Sequence, residues 1–81
     1  MSQAMLMAKF KTNLKALMLN KSAVIGEPLT QKEIAEATGL SIPAVARWYH
    51  NDVDRLEPNS VSALMKYFGC KFEELVEVVD D

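Results

Sequence analysis

Residues 29–48 read Leu-Thr-Gln-Lys-Glu-Ile-Ala-Glu-Ala-Thr-Gly-Leu-Ser-Ile-Pro-Ala-Val-Ala-Arg-Trp, and this stretch decides the fold. Thr30 followed three residues later by Glu33 is a capping box, in which each side chain can satisfy a backbone N–H at the start of a helix. Leu29 and Ile34 have the spacing of a hydrophobic staple around that cap. The stretch therefore predicts a helix that begins after Thr30 and runs to about residue 38.

A second helix is predicted directly after the first. Gly39 can adopt the left-handed conformation that closes a helix, so it is the expected turn. Ser41 is the expected cap of the second helix, with Leu40 and Val45 at staple spacing. Pro43 falls in the first turn, where its missing N–H is harmless. Two short helices joined in this way are typical of a helix-turn-helix unit, which presents the outer face of its second helix.

Inside the motif, we expect one apolar contact between the two helices. Ala35 is small enough to let them cross closely, and the side chains predicted to turn inward together are Ile34, Leu40, Val45 and Trp48.

Length and charge set limits on the rest. The 81 residues allow one small domain, expected to span residues 1–81 with the motif at about 30–49. A formal charge of -2 is unusual for a nucleic-acid binder. However, residues 1–51 carry five lysines and one arginine against three glutamates, whereas residues 52–81 carry two lysines and one arginine against eight acidic residues. We therefore expect a basic face on the half that holds the motif, and modest phosphate attraction.

Several classes of protein are disfavoured by the composition. Cys70 is the only cysteine, which excludes an internal disulfide and a cysteine-based metal cluster and favours a reducing cytosol. No apolar run approaches the roughly 18 residues that span a bilayer, and the first ten residues lack the pattern of a signal peptide. There is no nucleophile with a base, no phosphate loop and no set of paired metal ligands. We therefore expect a cytoplasmic protein that is not an enzyme and has no cofactor, metal or small-molecule ligand.

Apolar periodicity predicts further helices around the motif. A first helix is expected from about residue 4 to 19, followed by a loop over 20–28. A further helix is expected over about 57–68, with Pro58 in its first turn. Residues 72–79 allow one last short helix, although the tail from residue 78 could equally be extended. The predicted fold class is all-α, a compact bundle of about five helices.

The chain resembles the Cro and phage-repressor type of helix-turn-helix regulators, often called the Xre family. The resemblance covers roughly residues 14 to 79 and rests on Leu29-Thr30-Gln31, Ile34-Ala35, Gly39-Leu40-Ser41, Tyr49-His50-Asn51, Arg55-Leu56-Glu57, Leu64, and the run from Phe68 to Leu75. It implies a lambda-repressor-like DNA-binding domain that regulates transcription as a repressor, in a prokaryotic cell or encoded by a phage.

The same resemblance implies which residues contact double-stranded DNA. In the family, the helix that starts at Ser41 enters the major groove, and the glutamine that opens the preceding helix holds a phosphate. Arg47 is the only long donor on the face that the resemblance assigns to the bases, and guanine is its expected target. The whole predicted set is Gln31, Lys32, Ser41, Ile42, Pro43, Ala46, Arg47, His50, Asn51 and Arg55.

Dimerisation is expected because one recognition helix makes few base contacts. A homodimer on a two-fold operator would place its half-sites roughly 34 Å apart. The expected dimer surfaces are segment 1–8, which holds Met5 and Met7, and segment 72–81, which holds the apolar run Leu75 to Val79.

Charge also keeps two alternatives open. The relatives often have a basic loop after the recognition helix, yet this chain has Asp52 and Asp54 there, with Arg55 as the sole cation. Together with the acidic second half, this motivates a protein-interaction module on the same fold, of antitoxin-like or anti-repressor type. A non-specific architectural DNA binder is the third possibility, disfavoured by the small positive charge.

Overall fold

The computed structural model describes residues 9–79, which form five helices and two short strands. In chain order the elements are β1 (Lys9–Thr12), α1 (Leu14–Ile25), α2 (Gln31–Thr38), α3 (Ile42–Tyr49), α4 (Pro58–Phe68), α5 (Phe72–Leu75) and β2 (Val76–Val79). Within this part of the chain, no helix combines the length and apolar character needed to cross a membrane.

Every helix contributes to a single apolar core. The buried side chains are Leu14, Met18, Leu29, Ile34, Ala35, Val45, Trp48, Leu64, Leu75 and Val76. Burial of Ile34, Ala35, Val45 and Trp48 confirms the predicted contact between α2 and α3, and Leu40 packs against it while half-buried. The other described helices therefore pack against the buried side of the helix-turn-helix pair.

The all-α prediction is wrong in one respect, because the described chain contains a small sheet. Strands β1 and β2 pair antiparallel, with Lys9 opposite Val79 and Thr12 opposite Val76. The sequence of β1, Lys-Phe-Lys-Thr, alternates charged and less polar residues with the period of a strand. The valines of β2 are β-branched and favour extended backbone.

The predicted first helix is also corrected. Residues 9–12, placed in a helix by their apolar spacing, form β1, and α1 begins only at Leu14. At its other end, α1 continues to Ile25, so most of the predicted loop over residues 20–28 is helical. No glycine or proline interrupts α1 before Gly26, which explains why the helix outlasts its clear apolar stripe.

The C-terminal half follows the sequence closely. Helix α4 runs from Pro58 to Phe68, close to the predicted 57–68, and Gly69 is its C-cap. Leu64 is fully buried, and Val61, Met65 and Phe68 pack against the core. The last helix, allowed over residues 72–79, is shorter than expected: only Phe72–Leu75 is helical, and the chain is extended from Val76 rather than from residue 78, because Val76–Val79 pair with β1.

Part of the expected dimer surface lies outside the described residues. Segment 1–8, with Met5 and Met7, is outside them, as are the last two residues of segment 72–81.

Candidate nucleic-acid interface

The start of α2 carries the capping box that the sequence predicts. The Glu33 N–H donates to Thr30 Oγ1 at 3.1 Å, and the Thr30 N–H donates to Glu33 Oε1 at 3.3 Å. The backbone N–H groups of Gln31 and Lys32 have no acceptor among residues 9–79. Because a helix N-terminus with free N–H groups attracts anions, this end of α2 can receive a phosphate.

A tight turn separates α2 from α3. Gly39 has φ of 79° and its N–H donates to the Ala35 carbonyl at 2.9 Å, which closes α2 as predicted. Ser41 caps α3, since its Oγ accepts the Ala44 N–H at 3.2 Å. The Ser41 hydroxyl proton is not used by that bond, so it can still be donated to a DNA phosphate or base.

Helix α3 has one buried side and one exposed side. Val45 is 0% exposed and Trp48 is 4% exposed, whereas Ile42 is 49% exposed. Pro43 and Arg47 are also exposed, and Ala46 is half-buried. Residues 42, 43, 46 and 47 therefore form a continuous outer face, which we call the reading face.

The C-terminal end of α3 is closed by a Schellman motif. Asn51 adopts a left-handed conformation with φ of 60°, and its N–H donates to the Trp48 carbonyl at 3.3 Å. The Asp52 N–H donates to the Arg47 carbonyl at 2.8 Å. This pair of bonds is the pattern by which helices end on a left-handed residue, usually glycine and sometimes asparagine. His50, just before it, is exposed and touches the Tyr49 ring edge-on, with centroids 5.2 Å apart.

Three contacts at this end of α3 are not foreseen by the sequence. The Thr12 N–H donates to Asn51 Oδ1 at 2.7 Å, and the Thr12 hydroxyl donates to the Trp48 carbonyl. The Lys15 ammonium lies 5.7 Å from the centre of the Tyr49 ring. These partners are far apart in the chain and carry no local signal, so only the folded structure reveals them.

An acidic loop lies beside the reading face. Arg47 and Arg55 line one polar cleft of about 220 Å³ together with Asp52, Asp54 and Glu57. Lys32 and Arg55 are both exposed. The carboxylates reduce the positive potential that the arginines would otherwise present to a phosphate. Within residues 9–79, no group of three acidic, histidine or cysteine side chains is arranged to hold a metal ion.

Comparison with known families identifies the domain. No significant match to a curated protein or to a solved structure is found. The family model of the Cro/C1-type helix-turn-helix DNA-binding domain matches residues 27–81, which is more than half of the chain and includes α2, α3 and everything after them. The chain therefore belongs to the Cro/C1-type helix-turn-helix DNA-binding domain family, as the resemblance in its sequence indicated.

Proposed function

We propose that residues 1–81 act as one domain that represses transcription by occupying a DNA operator, with α3 in the major groove. The observation that carries this proposal is the division of α3 into a buried side and the reading face. An eight-residue helix is about 12 Å long, which is close to the width of the major groove.

Each member of the reading face has a distinct role in the proposal. Arg47 can make a bidentate contact with guanine, worth on the order of 1–3 kcal/mol of discrimination. Ile42 and Pro43 are apolar and exposed, and thymine methyl groups are their natural partners. Ala46 lets the helix backbone approach the bases closely because its side chain is small.

Phosphate contacts are proposed around that face. Gln31 and Lys32 hold one phosphate at the free N–H groups of α2, with the positive end of the helix dipole assisting. The Ser41 hydroxyl, His50 and Arg55 are exposed around α3 and contribute further contacts. The proposal also includes the Asn51 amide Nδ2, since only the side-chain oxygen is occupied by Thr12.

The proposed active form is a homodimer joined through β2. Thr12 directs its N–H away from β2 to Asn51, so the outward backbone groups of the sheet belong to Thr12, Phe10 and their partners Val76 and Val78. The β1 edge is covered at Thr12 and flanked by Lys11. On β2 the Val76 N–H donates to the Phe72 carbonyl, which leaves Val78, at 63% exposure, as the part of this edge that a second copy can pair with. Lysines protect strand edges from pairing, so β2 is the edge that favours a second copy.

Selection from random duplexes tests the proposed function. We expect the wild-type protein at low salt to enrich a two-fold sequence, and its affinity to fall linearly with the logarithm of salt concentration. We expect Arg47→Ala to relax one guanine position in each half-site. Lys66→Ala is the matched control, because it removes an exposed cation from α4 without touching the reading face.

Two results would contradict the proposal. If the wild-type protein enriched no sequence, the protein-interaction alternative would replace operator binding. If Arg47→Ala and Lys66→Ala gave the same enriched motif, the assignment of the reading face would fail even though DNA binding itself survived.

A further inference from the structure

Strand β1 is joined directly to the end of the recognition helix. Thr12 supplies two hydrogen bonds, from its backbone N–H to Asn51 Oδ1 at 2.7 Å and from its hydroxyl to the Trp48 carbonyl. The hydroxyl bond is partly buried, and both bonds bridge more than 35 residues of sequence. Trp48 itself is only 4% exposed, so its position is fixed by the core.

Asn51 combines two properties at this junction. Its backbone is left-handed, with φ of 60°, and so completes the Schellman motif that ends α3. Glycine would satisfy that requirement with less strain, but it would offer no oxygen to Thr12. The Asn51 side chain therefore has a role beyond closing the helix, which is to accept the Thr12 N–H.

The residue that follows β1 makes hydrogen bonds to α5 and β2. Asn13 follows Thr12, and its N–H donates to the Leu75 carbonyl at 2.9 Å. The Asn13 amide Nδ2 lies 3.1 Å from the Glu74 carbonyl and 3.1 Å from Glu77 Oε2. Consecutive residues of one short segment thus contact α3, α5 and β2.

We infer that Thr12 and Asn51 are positioning residues that fix the recognition helix at a set angle to the β1–β2 sheet. We call this pair the clasp. Its consequence for DNA binding rests on the proposed function: in a dimer joined through β2, the angle between α3 and the sheet determines the distance between the two recognition helices. The clasp then selects half-site spacing, while the reading face selects bases.

Three variants separate the clasp from folding. Thr12→Val removes only the hydroxyl donor, and the Trp48 carbonyl keeps the Asn51 N–H as a partner. Asn51→Gly keeps the left-handed backbone but removes the acceptor. Thr12→Ser retains the hydroxyl and is the control, which should behave like the wild-type protein.

The first readout needs no DNA. Residual dipolar couplings on the free protein report the orientation of β2 relative to α3, and we expect them to change in Asn51→Gly and Thr12→Val but not in Thr12→Ser. We also expect the Thr12 amide to exchange about fivefold faster in Asn51→Gly, the effect of losing one hydrogen bond. Asn51→Gly and Thr12→Val each disrupt the same junction between β1 and α3. The double variant that combines them should therefore differ little from either single variant.

The second readout is selection from duplexes with randomised spacing between half-sites. We expect the wild-type protein to prefer one spacing, and the clasp variants to lose about fivefold of that preference while keeping the same half-site sequence. Because Asn51→Gly also removes the proposed Nδ2 contact, its overall affinity for DNA should fall as well. If Asn51 acted only through that contact, the affinity of Asn51→Gly would fall equally at every spacing, and Thr12→Val would keep the wild-type spacing preference.

The outcomes of the two readouts are distinguishable. Unchanged dipolar couplings in the double variant would overturn the inference, whatever the protein does with DNA. Failure of the wild-type protein to enrich any sequence would contradict the proposed function, and the dipolar couplings would still decide the clasp. If the couplings changed but spacing preference did not in a dimeric wild type, the link between the clasp and half-site spacing would be wrong.

Discussion

Gly39 shows how one residue determines the geometry of the turn. Its φ of 79° is in the left-handed region, and a Cβ built on it would meet no atom within 4 Å. Gly39→Ala should therefore cost only backbone strain, about 1 kcal/mol of the free energy of unfolding measured with urea. Gly69→Ala is the matched control, because Gly69 has φ of 62° and equally open surroundings at the end of α4. A loss several times larger at Gly39 than at Gly69 would contradict this account.

Cys70 and Tyr67 make the folded state sensitive to alkaline pH. Burial raises the pKa of the Cys70 thiol above its ordinary 9.0, with a further increase from Glu74. Burial, followed by Glu33, raises the pKa of the Tyr67 hydroxyl above 10.0. Both groups bind their protons more tightly in the folded state than in the unfolded state. The resulting contribution to the free energy of unfolding is present below about pH 9 and is lost as the pH rises through the folded pKa values.

Urea titrations across that range test the effect. We expect the unfolding midpoint of the wild-type protein to fall above about pH 9, and that of Cys70→Ala to fall less steeply. Equal slopes for the two proteins would show that the thiol contributes nothing to the alkaline loss.

At the level of elements, Ser41 caps α3 and is also proposed to contact DNA. Its Oγ caps the helix at 3.2 Å from the Ala44 nitrogen, and it lies at the edge of the reading face. Ser41→Ala should lower the free energy of unfolding by about 1 kcal/mol. Ser41→Asp keeps a capping oxygen and should preserve stability, but its carboxylate should repel DNA and weaken binding. Stability by urea unfolding and affinity by titration at fixed salt distinguish the two roles. Undiminished DNA affinity in Ser41→Asp would remove Ser41 from the interface.

The elements that the sequence predicts well are those whose signals are local. The boundaries of α2 and α3 follow from Thr30, Gly39 and Ser41, each of which acts on backbone groups within a few residues. The reading face follows from the same information, because the phase of Val45 and Trp48 leaves residues 42, 43, 46 and 47 outside. The boundaries of α2 and α3 and the exposed side of α3 can therefore be predicted from the sequence alone.

Strand β1 could not be deduced in the same way. Phe10 and Leu14 are four residues apart and fit a helical stripe, while a strand of four residues offers only two full alternations. Residues 9–12 are extended because they pair with β2, which lies more than 60 residues away in the sequence. No pattern among neighbouring residues predicts that pairing. The clasp was missed for the same reason, since Thr12 and Asn51 meet only after the chain has folded.

On the scale of the whole molecule, the outer edge of β2, which pairs with no strand among residues 9–79, predicts self-association. A two-fold axis at Val78 would set Glu77 opposite Val79 of a second copy, which avoids direct pairing of like charges. We expect Val78→Lys to abolish dimers in sedimentation equilibrium and to weaken binding to a two-fold operator. Val24→Lys is the control, because Val24 is 85% exposed on α1 and lies outside the sheet. Loss of dimers in Val24→Lys, with dimers retained in Val78→Lys, would move the interface to α1.

Pairing of β1 with β2 has a consequence for synthesis on the ribosome. Asn13 and Glu77, which hydrogen bond beside the sheet, are 64 residues apart, so the sheet cannot close until nearly all of the described chain has left the exit tunnel. The capped helices α2 and α3 need only local signals and can form earlier. A nascent chain therefore passes through a stage in which α3 can form while β1 and β2 are still unpaired, and the contacts of Thr12 with α3 complete the fold of the described residues only afterwards.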